Sequence, residues 1–124
     1  MKKITTFLCA LLFLEACSSG IKGNEYQLQN SDITLSFSKE SDRFFGRAVN
    51  RYFGTYKTDD DGKITLSAVG ATMMAGSEEA MKEEQTYFLD LAMVKSYALA
   101  DDKLTLTLED GKQLSFYKVG TTPE

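Results

Sequence analysis

The sequence predicts a mainly β fold: a small antiparallel, barrel-like sheet of eight strands, with one α-helix at about 77–95 between the fifth and sixth. Three observations point there. Ile33, Leu35 and Phe37 alternate with Thr34, Ser36 and Ser38, and Leu104, Leu106 and Leu108 with Thr105, Thr107 and Glu109. That is the period of strands with one buried face, the pattern of antiparallel sheets. Asp60-Asp61-Gly62-Lys63 and Glu109-Asp110-Gly111-Lys112 carry the Asp-Gly pair of tight hairpins. Between them, Ala80, Met81, Tyr87, Phe88, Leu91 and Val94 fall at helical spacing.

Taken in order, strands are expected near 25–29, 32–38, 43–50, 53–59, 63–70, 96–100, 103–109 and 113–118. Ala100-Asp101-Asp102-Lys103 reads as a third hairpin turn. Ser77 is placed to cap the helix, Glu78 and Glu79 sit where its dipole favours negative charge, and Lys95 is expected at its other end. The apolar stripe of this helix should cover an opening or a face of the sheet.

Met1-Lys2-Lys3 is a short basic start, followed by an apolar run over 4–14. The run is shorter than the ~20 residues of a membrane span and suits a secretory signal. It ends in Leu14-Glu15-Ala16-Cys17, which looks like a lipobox. On this reading residues 1–16 are a lipoprotein signal, Cys17 carries the lipid anchor to the membrane, and 17–24 form a tether. Residues 25–119 are then one domain and 120–124 a tail. An ordinary signal peptide cut near Ala16 is the alternative. Ser18 and Ser19, with no Asp after the Cys, resemble the pattern of outer-membrane retention.

Removing Lys2, Lys3 and Glu15 from 14 basic and 18 acidic residues leaves 12 and 17, a net charge of −5. A mildly acidic chain is a poor match for nucleic acid, which calls for clustered Lys and Arg. Of the two cysteines, Cys9 lies in the signal and Cys17 at the lipid site, so the domain itself has none. There is no histidine, which removes Ser-His and Cys-His nucleophile systems and imidazole metal sites. An enzyme is not expected, and neither a metal nor a cofactor.

Phe45-Gly46-Arg47-Ala48-Val49-Asn50, followed after two strands by Thr72-Met73-Met74-Ala75-Gly76, resembles the paired signature of the META domain family, the group of HslJ-like heat-shock and envelope proteins. Gly54 and Tyr56 stand where the family has them, and Tyr26-x-Leu28 where it usually has Trp-x-Leu. The resemblance implies a compact β domain with a role in envelope stress tolerance. It also implies that two motif cysteines lie close enough for a disulfide; here Val49 and Gly76 replace both.

Each candidate site has a plainer reading beside it. Asp59-Asp60-Asp61-Gly62 suggests calcium, but a loop with Gly62 sixth would begin at Lys57 and end at Ala68, where Asp and Glu are required. A solvated hairpin tip fits better. Arg43, Arg47 and Arg51 would share one strand face, either as a basic stripe for an anionic partner or as a solvated face paired with acids. Asn50 is read as a structural amide at a bend, with a ligand role as the alternative. Met73 and Met74 are expected to fill core space, in preference to a copper site. The aromatic residues are expected mostly inside, with a ligand cavity possible if several line it.

The reading that emerges is a non-enzymatic, membrane-anchored META-domain lipoprotein of the cell envelope, an interaction and stress-tolerance module. The alternatives are a lipoprotein inhibitor of a lysozyme or protease, and a barrel that binds a small apolar ligand.

Overall fold

The computed structural model describes residues 20–124. Cys17 and the expected signal lie outside the described residues. The order of elements is β1 (Asn24–Leu28), β2 (Thr34–Phe37), β3 (Arg43–Arg47), β4 (Arg51–Thr58), β5 (Ile64–Leu66), β6 (Gly70–Ala71), α1 (Glu78–Leu91), β7 (Val94–Ala100), β8 (Lys103–Leu108) and β9 (Gln113–Thr121). All pairings are antiparallel, in the order β5-β4-β3-β2-β1-β9-β8-β7, with β6 paired to the other half of β4. The sheet curls until its two edge strands nearly meet. A single bridge between Lys63 and Ser96, with the Tyr97 amide donating to Gly62 O at 2.9 Å, joins them.

The predicted turns form as their residues require. Gly62 and Gly111 adopt positive φ at the two Asp-Gly turns, and Asp101 does so in the third. Several strand limits differ from expectation. The span 43–50 ends at Arg47, because residues 48–50 make the turn into β4. The span 63–70 divides into β5 and β6 around Ser67, whose Oγ accepts from the Thr55 amide at 2.8 Å in place of a backbone carbonyl. β9 continues through Gly120 and Thr121 against β1, so the expected tail is partly strand. The helix ends at Leu91, and Lys95 belongs to β7.

Inward residues fill the barrel: Leu35, Phe37, Phe44, Tyr52, Tyr56, Leu104, Leu106 and Phe116 are among those buried. Each large apolar side chain removed from water contributes ~1.5–3 kcal/mol. Helix α1, capped by Ser77 Oγ accepting from the Ala80 amide, crosses the end formed by the β1–β2, β3–β4 and β8–β9 turns. Tyr87 and Leu91 point into it, and Tyr87 meets Tyr52 edge-on at 5.5 Å. The expectation that the stripe covers an opening is met. The aromatic residues lie mostly inside, as expected; Phe53 and Tyr117 point away from the barrel and are exposed.

Both termini of the described chain meet at the other end. The Thr122 amide donates to Gly23 O at 2.8 Å and Thr122 Oγ1 to Phe37 O at 2.6 Å, and Glu124 accepts from Ser38 Oγ and the Lys39 amide, both at 2.8 Å. The bond from the Lys39 amide, then that from Ser38, hold the Glu124 carboxyl below its ordinary value of 4.5. A carboxyl lowered on folding contributes stability above the unfolded value, and loses it as pH falls through the folded value. The tail should therefore stay docked at neutral pH and loosen on acidification below 4.5. Amide exchange at Lys39 checks this, and Glu124→Gln should remove the pH dependence.

Candidate functional site

The residues of the two sequence signatures converge at the helix-covered end, around the Asn50 side chain. Asn50 is buried in the turn between β3 and β4. Its Oδ1 accepts from the Met74 amide at 2.5 Å and Thr72 Oγ1 at 3.0 Å. Its Nδ2 donates to Met74 O at 3.2 Å and Glu84 Oε1 at 3.0 Å. The Asn50 backbone amide donates to Glu84 Oε2 at 2.6 Å. One amide side chain thus ties the turn, the strand-to-helix segment and the helix together, and every polar group involved is satisfied.

The expected structural role for Asn50 is what the geometry displays. The expected burial of Met73 and Met74 is not. Met73 is 98% exposed and Met74 63%. Asn50 captures the backbone of this segment, and its apolar side chains are turned outward. Residues 71–79 are exposed throughout, Ala75 included.

Glu84 was missed in the sequence although a signal exists. It lies four residues after Ala80 and three before Tyr87, on the apolar stripe. A carboxylate there must find donors, and Asn50 supplies them.

The motif glycines make room for aromatic groups. A Cβ on Gly46 would lie 2.0 Å from Thr34 O and 2.7 Å from Tyr52 Oη. Tyr52 Oη bonds Thr34 O at 2.5 Å and Tyr87 Oη at 2.6 Å. A Cβ on Gly54 would meet the Phe44 ring at 2.5 Å, and Tyr56 packs edge-on to Phe37 at 5.1 Å. Burial raises both Tyr52 and Tyr87 well above the ordinary tyrosine value. They stay neutral phenols, enclosed in the core and unsuited to serve as a base.

Val49 and Gly76 touch. An ideal Cβ on Gly76 lies 3.7 Å from Val49 Cβ, close to the ~3.8 Å mean of a disulfide. The neighbourhood implied for the two family cysteines is therefore present without them.

The three arginines divide. Arg47 and Arg51 stand directly opposite each other across the β3–β4 hairpin, while Arg43 faces Thr55 at its other end. All three are exposed. Among the described residues, no group of three or more His, Cys, Asp or Glu side chains is arranged to hold a metal, and no helix is long and apolar enough to cross a membrane.

The model of the META domain family matches residues 17–121. The fold is similar to that of a Burkholderia xenovorans protein solved by NMR, with a TM-score of 0.71 at 21% identity over 86% of this chain and 88% of that one. A second protein solved by NMR gives 0.58 at 19% identity over 77% and 88%. A DUF4847 family protein from Bacteroides vulgatus gives 0.54 at 17% over 73% and 61%. At these identities the likeness is one of fold. No curated protein matches the chain.

Two outcomes test the clamp. Asn50→Ala should lower stability by about 2–4 kcal/mol in urea unfolding, since it strands a buried carboxylate and a backbone segment. Val49→Cys with Gly76→Cys should form an intrachain disulfide and raise stability by about 2–4 kcal/mol under oxidising conditions.

Proposed function

This chain belongs to the META domain family, and on that premise we propose that it is a non-enzymatic, lipid-anchored interaction module of the bacterial cell envelope, serving stress tolerance. The observation that carries the proposal is the exposed Met73-Met74 segment, fixed by the Asn50 clamp. Exposed apolar side chains on a fixed backbone favour binding to a protein surface, because little ordering is needed on contact.

Polarity of the barrel supports the same reading. Residue 20 lies at the end opposite the helix, beside the β2–β3 turn, where the Gly23 amide donates to Phe37 O. Only Ser18 and Ser19 separate Cys17 from it. With an acyl anchor on Cys17, Met73 and Met74 face away from the membrane. Ser18 and Ser19 after Cys17 support outer-membrane retention.

The inhibitor reading is second, and one observation favours it. The 71–79 segment is exposed throughout, the form needed to enter an enzyme cleft.

In cells, a photo-crosslinking residue in place of Met73 should yield a discrete crosslinked protein, whereas one at exposed Lys57 should not. A lysozyme or protease in that product would select the inhibitor reading. No product from position 73 would overturn the interaction reading. Cys17→Ser should move the protein to the soluble envelope fraction, and a variant still bound to the membrane would refute the anchor.

A further inference from the structure

We infer that the outer face of β1–β3 carries a binding trough for a small zwitterion: an anionic phosphate or carboxylate joined to an amino group. This goes beyond the docking proposed for Met73 and Met74 and does not depend on it. The trough arises from the sequence of β2. Its outward residues, Thr34 and Ser36, are short, while those on the flanking strands are longer. Glu25 stands beside Ser36 on β1, with Phe45 beside Ser36 and Arg47 beside Thr34 on β3. Pro123 of the docked tail closes one end, and Arg51 extends the other. The result is a cavity of about 490 Å³ lined by Glu25, Ser36, Phe45, Arg47, Arg51 and Pro123, among others. That volume is within the usual range of small-molecule sites, ~300–1,000 Å³.

Charge in the trough is divided. Arg47 and Arg51 are paired across the strands, and like charges directly opposite destabilise a sheet. Among the described residues, neither guanidinium lies within ion-pair distance of a carboxylate, and the salt bridges are Lys22–Asp42 and Lys112–Asp90. An anion between the two would turn a repulsive pair into a fork of charge-assisted hydrogen bonds. On the opposite wall, Glu25 receives, among the described residues, only a long bond from Ser36 Oγ, at 3.4 Å, which leaves its carboxylate available to an ammonium group. Phe45 shares the β3 wall with Arg47, directly across Ser36 from Glu25, and can contact the apolar linker. The two walls are separated by two strand spacings, about 10 Å at the backbone, and the side chains reach inward from both.

The test uses the full chain, ¹⁵N-labelled, titrated with O-phosphoethanolamine and, separately, with inorganic phosphate. Amides of Thr34, Phe45, Arg47 and Arg51 should shift saturably, with phosphoethanolamine bound about fivefold or more tightly than phosphate. Arg47→Gln should weaken binding about tenfold, as expected for losing one charge-assisted contact. Arg51→Glu should abolish it while leaving the melting temperature unchanged or raised, since it replaces a repulsive pair by an attractive one. Glu25→Gln should erase the preference for phosphoethanolamine. Absence of saturable shifts in the trough, or equal shifts in Arg51→Glu, would overturn the site. Equal binding of the two probes by the unaltered chain would overturn its zwitterion selectivity. A vesicle arm separates the sources. In a Cys17→Ser background, sedimentation with phosphatidylethanolamine vesicles that Arg51→Glu abolishes identifies a lipid headgroup. Binding of free phosphoethanolamine without that sedimentation identifies a soluble ligand.

Discussion

The Asn50–Glu84 contact is the interaction on which the covered end of the barrel depends. A buried carboxylate is tolerable only with donors in place, and the Asn50 side chain and backbone amide provide them. The same side chain spends its remaining capacity on the Thr72–Met74 segment. Three pieces distant in sequence are thereby fixed at one point. The helix is held at this point by its carboxylate, and inside the barrel by the Tyr87 hydroxyl on Tyr52. Without the Asn50 side chain, the strand-to-helix connection would keep the short pairing of β6 with β4 and the bonds between Thr72 and Arg51.

This arrangement explains why the two signatures look as they do. Thr72 contributes a hydroxyl, residue 74 contributes its backbone, and Gly46 leaves space for the Tyr52 hydroxyl. None of these roles needs a methionine side chain. The apolar character at 73 and 74 is therefore free to serve the surface.

Most of the barrel was legible in the sequence because turn chemistry and strand alternation are local. Gly62, Gly111 and Asp101 adopt the positive φ their turns require, and the alternation of 33–38 gives both the inward Leu35 and Phe37 and the short outward Thr34 and Ser36. What local pattern could not convey was partnership. Met73 and Met74 read as core because apolar residues usually are; their exposure follows from hydrogen bonds made by Asn50, 24 residues away from Met74. The placement of Arg51 on a second strand, facing Arg47, depends on a turn at 48–50 that no Gly or Pro marks. Glu84 was legible as a lone acid on an apolar stripe, but its partner was not.

The near-closure of the sheet has one more consequence. Along most of the circumference, neighbouring strands share three or more paired positions, whereas β5 and β7 share the bridge at Lys63–Ser96 and the Tyr97 bond to Gly62. Cooperative units open first where the fewest backbone bonds must break. The wall of this barrel is thus a strip fastened at one seam, on the far side from the trough over β2. Opening the seam exposes the edges of β5 and β7 without disturbing Asn50. Shortness of β5 and the exposed charge of Lys63 guard that edge against pairing with another chain.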